Sequence, residues 1–307
     1  LRIASAETTR HIHSGHSLTD AYFGGGDGWP GVMQSLVQAQ FQSASDDQDQ
    51  YHLKSTIPGS ATMWRWQHYN SSDVNPRDNA DQFDTLVITE RGLDTVGVSG
   101  PPAVGGEVLL EDVFYEMRFA INAWQNGRRT QRPPEFILWS IWPAIDWANW
   151  QDILASYEQR FKWRADYITW KMRQLFPDLP SDWRVWIIPG HRFIQRVVAD
   201  MATGSAPGFT TAQDLHSDTI HPAPALSYGL SLVVQTVLYQ RDFRTLLPDL
   251  YRPSAVTAEQ QAYFARIAWE IASVYEPAGM GGTEGTTVHW QVGRDNDLFP
   301  TLTTPEA

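Results

Sequence analysis

Near its beginning the chain reads HSGHSLTD at residues 13–20, directly after a run from Arg10 in which apolar and polar residues alternate. Alternation with a period of two residues predicts a β-strand, and the glycine at its end predicts a tight turn. A strand that stops at a glycine and delivers a serine into a turn is how α/β hydrolytic folds expose a nucleophile. Ser17 is therefore the candidate nucleophile, and we expect an α/β fold around it.

Segments typical of strands and of helices alternate along the rest of the chain. Short apolar runs, such as DTLVIT at residues 84–89, predict buried strands. Between residues 106 and 127 apolar side chains recur at the spacing of one helix face. Five strands are predicted, at residues 10–15, 51–57, 84–89, 136–142 and 183–188, and the main helices at residues 32–41, 106–127, 151–176, 189–202, 225–239 and 257–275.

This alternation favours parallel strands joined by helices. We therefore expect a three-layer αβα sandwich with a central, mainly parallel five-stranded sheet. A chain of 307 residues can bury a core of that size, and no break in composition divides it. We interpret residues 1–307 as a single domain, in which the C-terminal helix and tail, about residues 255–307, pack as an extension.

Composition excludes several classes of function. The chain has 23 Lys and Arg residues against 35 Asp and Glu, a net charge of −12, so nucleic acid is not an expected partner. It has no cysteine, which excludes disulfides, thiolate nucleophiles and cysteine-bound zinc. No apolar run approaches the roughly 18 residues that a membrane-spanning helix needs, so no membrane span is predicted. The sequence does not define an oligomeric state.

The first residue is Leu1 rather than Met. We interpret this as trimming, by signal-peptide removal or otherwise. The expected location is therefore periplasmic or secreted, with the bacterial cytoplasm as the alternative.

A second stretch, DTIHP at residues 218–222, carries an acid and a base close together. The two stretches resemble the first and last blocks of the SGNH/GDSL hydrolase superfamily. The first block commonly reads Gly-Asp-Ser-Leu-(Thr/Ser)-Asp, with His16 here in place of its Asp, and the last reads Asp-x-x-His, often followed by Pro. The resemblance implies a flavodoxin-like sandwich and a catalytic triad in which Ser17 attacks, His221 is the base and Asp218 orients it.

Serine attacks an ester at neutral pH only when a base lies within hydrogen-bond reach and a third group orients that base. The three residues meet this requirement if both stretches end at one edge of the sheet. The alternative is that Ser17 and Asp218 only cap local structure.

The tetrahedral intermediate of ester hydrolysis also needs donors for its oxyanion. The superfamily's second block is a glycine after a strand, which Gly59 matches, so the backbone N–H groups of Ser17 and Gly59 are the expected donors. The third block is Gly-x-Asn-Asp, but residues 90–94 read ERGLD and contain no Asn. Glu90 or Gly92 takes that place, and Arg91 is the candidate side-chain donor. A local ion pair between Glu90 and Arg91 is the alternative.

The chain contains 14 Trp, most of which should serve packing. The loop after the fourth strand reads PAIDWANW, and loops at the carboxyl ends of parallel strands form the cleft in α/β folds. We therefore predict that Trp142, Trp147 and Trp150, with Glu90, contact the substrate.

Other candidate sites are weaker. His11 and His13 lie two residues apart on a strand and hence on one face, and with His16 they could form a metal site. Packed or solvent-facing histidines are more common in strands, so neither a metal nor another cofactor is predicted. Acidic stretches at residues 46–49 and 295–297 lack the glycine and the final glutamate of a calcium loop.

These observations predict serine-dependent hydrolysis of a carboxylic ester. An acetyl ester on a carbohydrate would suit a tryptophan-walled cleft. A lipid or simple acyl ester is the alternative substrate. The alternative from another class of protein is a glycan-binding relative that kept the fold and has weakened or lost turnover.

Overall fold

The computed structural model describes residues 10–20, 32, 35–36, 51–56, 61–68, 70, 74–90, 107–127, 134–247 and 250–280. Within them strands and helices alternate along the chain. The strands are β1 (Arg10–Ser14), β2 (Tyr51–Lys54), β3 (Thr85–Thr89), β4 (Glu135–Trp139) and β5 (Trp186–Ile188). The α-helices are α1 (Ser17–Asp20), α2 (Thr62–Gln67), α3 (Glu107–Asn126), α4 (Trp150–Leu175), α5 (Gly190–Ala202), α6 (Pro224–Tyr239) and α7 (Ala258–Ala272).

The strands form one sheet in the order β2-β1-β3-β4-β5, and each neighbouring pair is parallel. The predicted α/β class, with a parallel sheet flanked by helices, is confirmed. The order reverses between β1 and β3, because β2 lies on one side of β1 and all later strands lie on the other. In open α/β sheets such a reversal leaves a crevice beyond the carboxyl ends of the two strands, where ligands bind. The segments that follow β1 and β3 therefore flank the expected site.

The strands β3 and β4 are buried and mostly apolar. All five residues of β3 are buried, as its Leu-Val-Ile run predicts. Strands covered on both faces read as continuous apolar runs rather than alternating ones. Tyr239 of α6 packs edge to face on His11 of β1, with ring centroids 5.0 Å apart.

Three strands are shorter than predicted by two residues or more. The fourth was expected to continue to residue 142 but ends at Trp139, where pairing with β3 stops. The fifth begins at Trp186 rather than residue 183, because only Trp186–Ile188 face residues of β4. The second ends at Lys54 rather than residue 57. Apolar residues continue after β4 and precede β5, but a strand lasts only as long as its neighbour offers hydrogen-bond partners.

The helices lie close to their predicted positions. α7 begins with the predicted capping box, in which Thr257 Oγ1 accepts from the Gln260 N–H and Gln260 Oε1 accepts from the Thr257 N–H. α7 contacts α6 and α5, so this part of the predicted C-terminal extension packs on the domain. Most of the helix predicted at residues 32–41 lies outside the described residues. Among the described helices, none has both the length and the apolar composition needed to cross a bilayer.

Candidate active site

Ser17 stands at the start of α1, directly beyond the carboxyl end of β1. Ser17 lies in the turn His16–Thr19. Thr19 closes this turn, because its backbone N–H and its side-chain hydroxyl both donate to His16 O, at 2.8 and 3.0 Å. A Cβ added to Gly15 would lie 2.2 Å from Thr19 Oγ1. The glycine is therefore required because the threonine side chain occupies the space beside it, and the closed turn presents Ser17 to solvent.

Asp218 and His221 lie in a loop whose two ends are joined by backbone hydrogen bonds. The Ser217 N–H donates to His221 O and the Ala223 N–H donates to Leu215 O, both at 2.8 Å. Within the loop, Asp218 Oδ1 accepts from the N–H of Ile220 at 2.8 Å and of His221 at 2.7 Å. These local bonds fix the aspartate relative to the histidine three positions later.

The two segments meet at the carboxyl edge of the sheet. His221 Nδ1 lies 2.6 Å from Asp218 Oδ2, and His221 Nε2 lies 2.8 Å from Ser17 Oγ. An ionised aspartate accepts only, so Nδ1 carries the proton and Nε2 can accept from the Ser17 hydroxyl. A nucleophile bonded to a base, with the base held by a carboxylate, is the geometry of a Ser-His-Asp triad. The structure thus brings together all three residues predicted as catalytic.

Hydrogen bonding determines the charge of Asp218. The backbone N–H groups of His221 and Ile220, with the His221 side chain, lower the pKa of Asp218 to about 2. Both carboxylate oxygens are used, Oδ1 for the loop and Oδ2 for the imidazole. Asp218 is therefore ionised at neutral pH and can stabilise the imidazolium that forms when His221 takes a proton.

The segment after β4 bonds the loop that carries Asp218 and His221. The Trp142 indole N–H donates to Ile220 O at 2.8 Å, and the Ile145 N–H donates to Thr219 O at 2.8 Å. Trp142 is 1% exposed, so the prediction that it contacts substrate is wrong: its ring is covered and its one polar atom is used by the loop. Trp147, in the same segment, is 38% exposed, and Trp150 is half-buried at the start of α4.

Glu90 follows β3 and is buried, contrary to the prediction that it contacts the substrate. Its carboxylate oxygens accept from the Thr62 N–H at 3.0 and 3.2 Å, at the first residue of α2. The backbone carbonyl of Glu90 accepts from His16 Nε2 at 3.0 Å. Glu90 thus contacts the turn that carries the nucleophile, but as an acceptor. The other residues predicted for the oxyanion site, Gly59 and Arg91, lie outside the described residues, as does Gly92.

Arg65 of α2 is a buried residue that sequence reasoning missed. Its guanidinium donates to Thr62 Oγ1 at 2.9 Å and to Thr89 O at the end of β3. An arginine in the segment TMWRWQ shows no periodicity or motif that would have marked it. Only the approach of α2 to the end of β3 gives it this role.

A second serine–histidine–carboxylate chain lies inside the protein. Ser140 Oγ is 2.6 Å from His191 Nδ1, and His191 Nε2 is 2.7 Å from Glu158 Oε2. Ser140 and His191 are both 0% exposed, so this chain cannot meet a substrate. Burial lowers the pKa of His191 more than Glu158 raises it, so the ring is neutral and donates to the carboxylate. These hydrogen bonds connect Ser140, which follows β4, to His191 of α5 and Glu158 of α4.

The histidines considered for a metal site are used differently. His13 Nε2 lies 2.6 Å from Thr89 Oγ1, and burial followed by the charge of Arg65 lowers the pKa of His13 well below its usual value. His16 Nδ1 accepts from the Leu18 N–H at 3.4 Å while its Nε2 donates to Glu90 O. Within the described ranges, no three His, Asp or Glu side chains are grouped so that they could hold a metal ion. The acidic stretches at residues 46–49 and 295–297 lie outside those ranges.

The fold and the site together define an α/β protein with a Ser-His-Asp triad at the strand-order reversal of a parallel sheet. No protein-family model matches the chain, and no curated protein matches it. Among solved structures, it is similar to the crystal structure of a DUF4886 family protein from Bacteroides uniformis ATCC 8492, with 13% sequence identity and a TM-score of 0.51. The likeness covers 91% of this chain and 99% of that one, and at this identity it shows the fold alone.

Proposed function

We propose that this protein is a serine hydrolase that cleaves a carboxylic ester. The observation that carries the proposal is the hydrogen-bonded chain from Ser17 through His221 to Asp218, with bonds of 2.8 and 2.6 Å. In this chain the base lies within reach of the proton it must remove, and the aspartate holds the base in the correct tautomer.

The reaction follows from this geometry. Ser17 Oγ attacks the ester carbonyl as His221 Nε2 takes the hydroxyl proton, and Asp218 stabilises the resulting imidazolium. The imidazolium then gives its proton to the departing alcohol, which leaves an acyl group on Ser17. A water molecule, deprotonated by the same imidazole, attacks the acyl group, and the imidazolium returns the proton to Ser17 Oγ as the acid is released.

The same proposal assigns the chain to the SGNH/GDSL superfamily and its flavodoxin-like sandwich. Three features support the assignment. The strand order is one that occurs in flavodoxin-like sheets. The HSGHSLTD stretch runs from the last two residues of β1 into α1, and the loop with Asp218 and His221 leads into the helix α6.

For the substrate we propose a short acyl ester, an acetyl group carried by a carbohydrate. Trp147 supports this choice, because it is exposed in the segment whose Ile145 N–H bonds the catalytic loop at Thr219. Exposed tryptophan faces suit the apolar faces of sugar rings. Trp147→Ala should therefore raise KM for an acetylated xylo-oligosaccharide and leave KM for p-nitrophenyl acetate unchanged. Equal KM changes for both substrates would favour a simple acyl ester, and faster turnover of long acyl chains would favour a lipid.

The decisive experiment combines a fluorophosphonate probe with p-nitrophenyl acetate hydrolysis. The wild-type protein should be labelled on Ser17, and Ser17→Ala should fold normally, resist labelling and lose about a million-fold in kcat, as triad nucleophile variants do. Ser205→Ala, at an exposed serine whose Oγ accepts from Thr203, is the matched control and should keep full activity. An unlabelled, inactive wild type that binds glycans would instead favour a binding protein.

A further inference from the structure

Glu90 occupies a junction between three parts of the site. It directly follows β3, which pairs with β1 up to the contact of Ser14 with Ile88. Its side chain accepts from Thr62 at the start of α2, and its backbone carbonyl accepts from His16, the residue before Ser17. One buried residue therefore contacts both the nucleophile turn and a neighbouring helix.

The bond to the nucleophile turn has a defined direction. His16 Nδ1 accepts from the Leu18 N–H at 3.4 Å, so the ring proton is on Nε2 and is donated to Glu90 O at 3.0 Å. His16 and Leu18 are the residues on either side of Ser17. Through this ring, the carbonyl of Glu90 sets the position of the turn that carries the nucleophile.

The bond to α2 is made by the carboxylate. Both oxygens accept from the one backbone N–H of Thr62, which no turn of its own helix can satisfy because it is the first residue of α2. Negative charge at a helix N-terminus is also favourable. The Arg65 guanidinium donates to Thr62 Oγ1 and to Thr89 O. It therefore joins the start of α2 to the end of β3, beside the bond between Glu90 and Thr62.

We propose that Glu90 is a positioning residue for the hydrolytic reaction, which holds the Ser17 turn and the start of α2 in fixed relative positions. The proposal rests on the proposed function. In the superfamily the third block supplies an amide donor at this place. Here the Glu90 carboxylate acts only as an acceptor, from the Thr62 N–H, and the backbone carbonyl of Glu90 accepts from His16.

The test compares Glu90→Ala, Glu90→Gln and His16→Ala in p-nitrophenyl acetate hydrolysis. Glu90→Ala should lower kcat by about 100-fold with KM changed less than about twofold, because small displacements of a nucleophile cost that much. Glu90→Gln keeps an acceptor for the Thr62 N–H and should recover most of the activity. If Glu90 and His16 act as one unit, Glu90→Ala combined with His16→Ala should be no slower than the slower single variant.

Glu158→Ala is the matched control, because Glu158 is also a carboxylate that holds two elements, accepting from His191 Nε2 and Arg192 Nε at 2.7 Å. It should lower the melting temperature and keep kcat. Unchanged kcat in Glu90→Ala, a loss confined to KM, or losses that multiply in the double variant would each overturn the proposal. If Glu90→Ala does not fold, His16→Ala is judged by the same kcat and KM criteria, because it removes the ring that joins the Ser17 turn to Glu90 O.

Amide hydrogen exchange separates this proposal from the proposed function. Glu90→Ala should speed exchange of the Thr62 and Leu18 N–H groups, whether or not the protein hydrolyses esters. An inactive, unlabelled wild type would contradict the proposed function alone. Unchanged exchange at both amides in Glu90→Ala would contradict the positioning role alone.

Discussion

His11→Phe should reduce the slope of this protein's free energy of unfolding against pH, by the amount that corresponds to one bound proton. His11 lies in β1, is 1% exposed and packs edge to face on Tyr239. Burial lowers its pKa from 6.5 to about 3, because the charged imidazolium loses its hydration inside the protein. The folded protein therefore holds this ring neutral at pH values where the unfolded chain protonates it.

The sign and size of the effect follow from this difference. Between pH 3 and pH 6.5 the unfolded state binds a proton at His11 and the folded state does not, so the free energy of unfolding rises with pH. One proton corresponds to about 1.4 kcal/mol per pH unit. The contribution of His11 is fully present above pH 6.5 and is lost as the pH falls toward 3. The slope depends on the proton count alone, as long as the pH lies between the two pKa values.

The assay is urea unfolding of the wild type and His11→Phe at several pH values from about 4.5 to 6, within the window between the two pKa values. The slope of unfolding free energy against pH should be smaller in His11→Phe by about 1.4 kcal/mol per pH unit. Carboxylates titrate in the same window, but they are common to both proteins and cancel in the difference. Ile12→Val is the control, since it should lower stability by about 0.5–1.5 kcal/mol at every pH without changing the slope.

Equal slopes in the wild type and His11→Phe would refute the reasoning, because they would mean that His11 accepts its proton in the folded state. The result also bears on the site. β1 ends three residues before Ser17, so a loss of folding stability at acid pH would also displace Ser17. Such unfolding would lower activity at acid pH independently of any proton on the imidazole of His221.

The remaining predictions concern the site. Because the pKa of Asp218 is lowered to about 2, this residue stays ionised above about pH 4, and the kcat/KM profile should show no protonation of Asp218 above that pH; a limiting slope of two on logarithmic axes on the acid side would contradict this. Gly15→Ala places a methyl group 2.2 Å from Thr19 Oγ1, so it should open the nucleophile turn and lower kcat about 100-fold, measured with p-nitrophenyl acetate; full activity would show that the turn can adapt. Trp142→Phe removes the indole N–H that donates to the carbonyl of the half-buried Ile220, which should cost about 0.5–1.5 kcal/mol of stability by urea unfolding; an unchanged midpoint would show that the loop does not need this bond.

Local sequence patterns determined where several strands and helices of this protein begin and end. The Leu-Val-Ile run of β3 and the capping box of Thr257 and Gln260 predicted a strand and a helix start, because such elements depend on residues close in sequence. The triad was also predictable. Ser17 and the pair Asp218 and His221 each belong to a short stretch whose geometry is set by local hydrogen bonds, and parallel strands bring such stretches to one edge of a sheet.

Contacts between distant segments decided the rest. Trp142 was predicted to contact substrate, yet its indole bonds a carbonyl 78 positions later in the chain and is covered. Glu90 was predicted to contact substrate, yet it accepts from residues that lie 28 and 74 positions away. A side chain's type states what it can donate or accept, but burial and partners depend on which segments the fold brings together. For that reason the sequence by itself determined which residues form the Ser-His-Asp triad, and only the tertiary structure decided which side chains hold the segments around it.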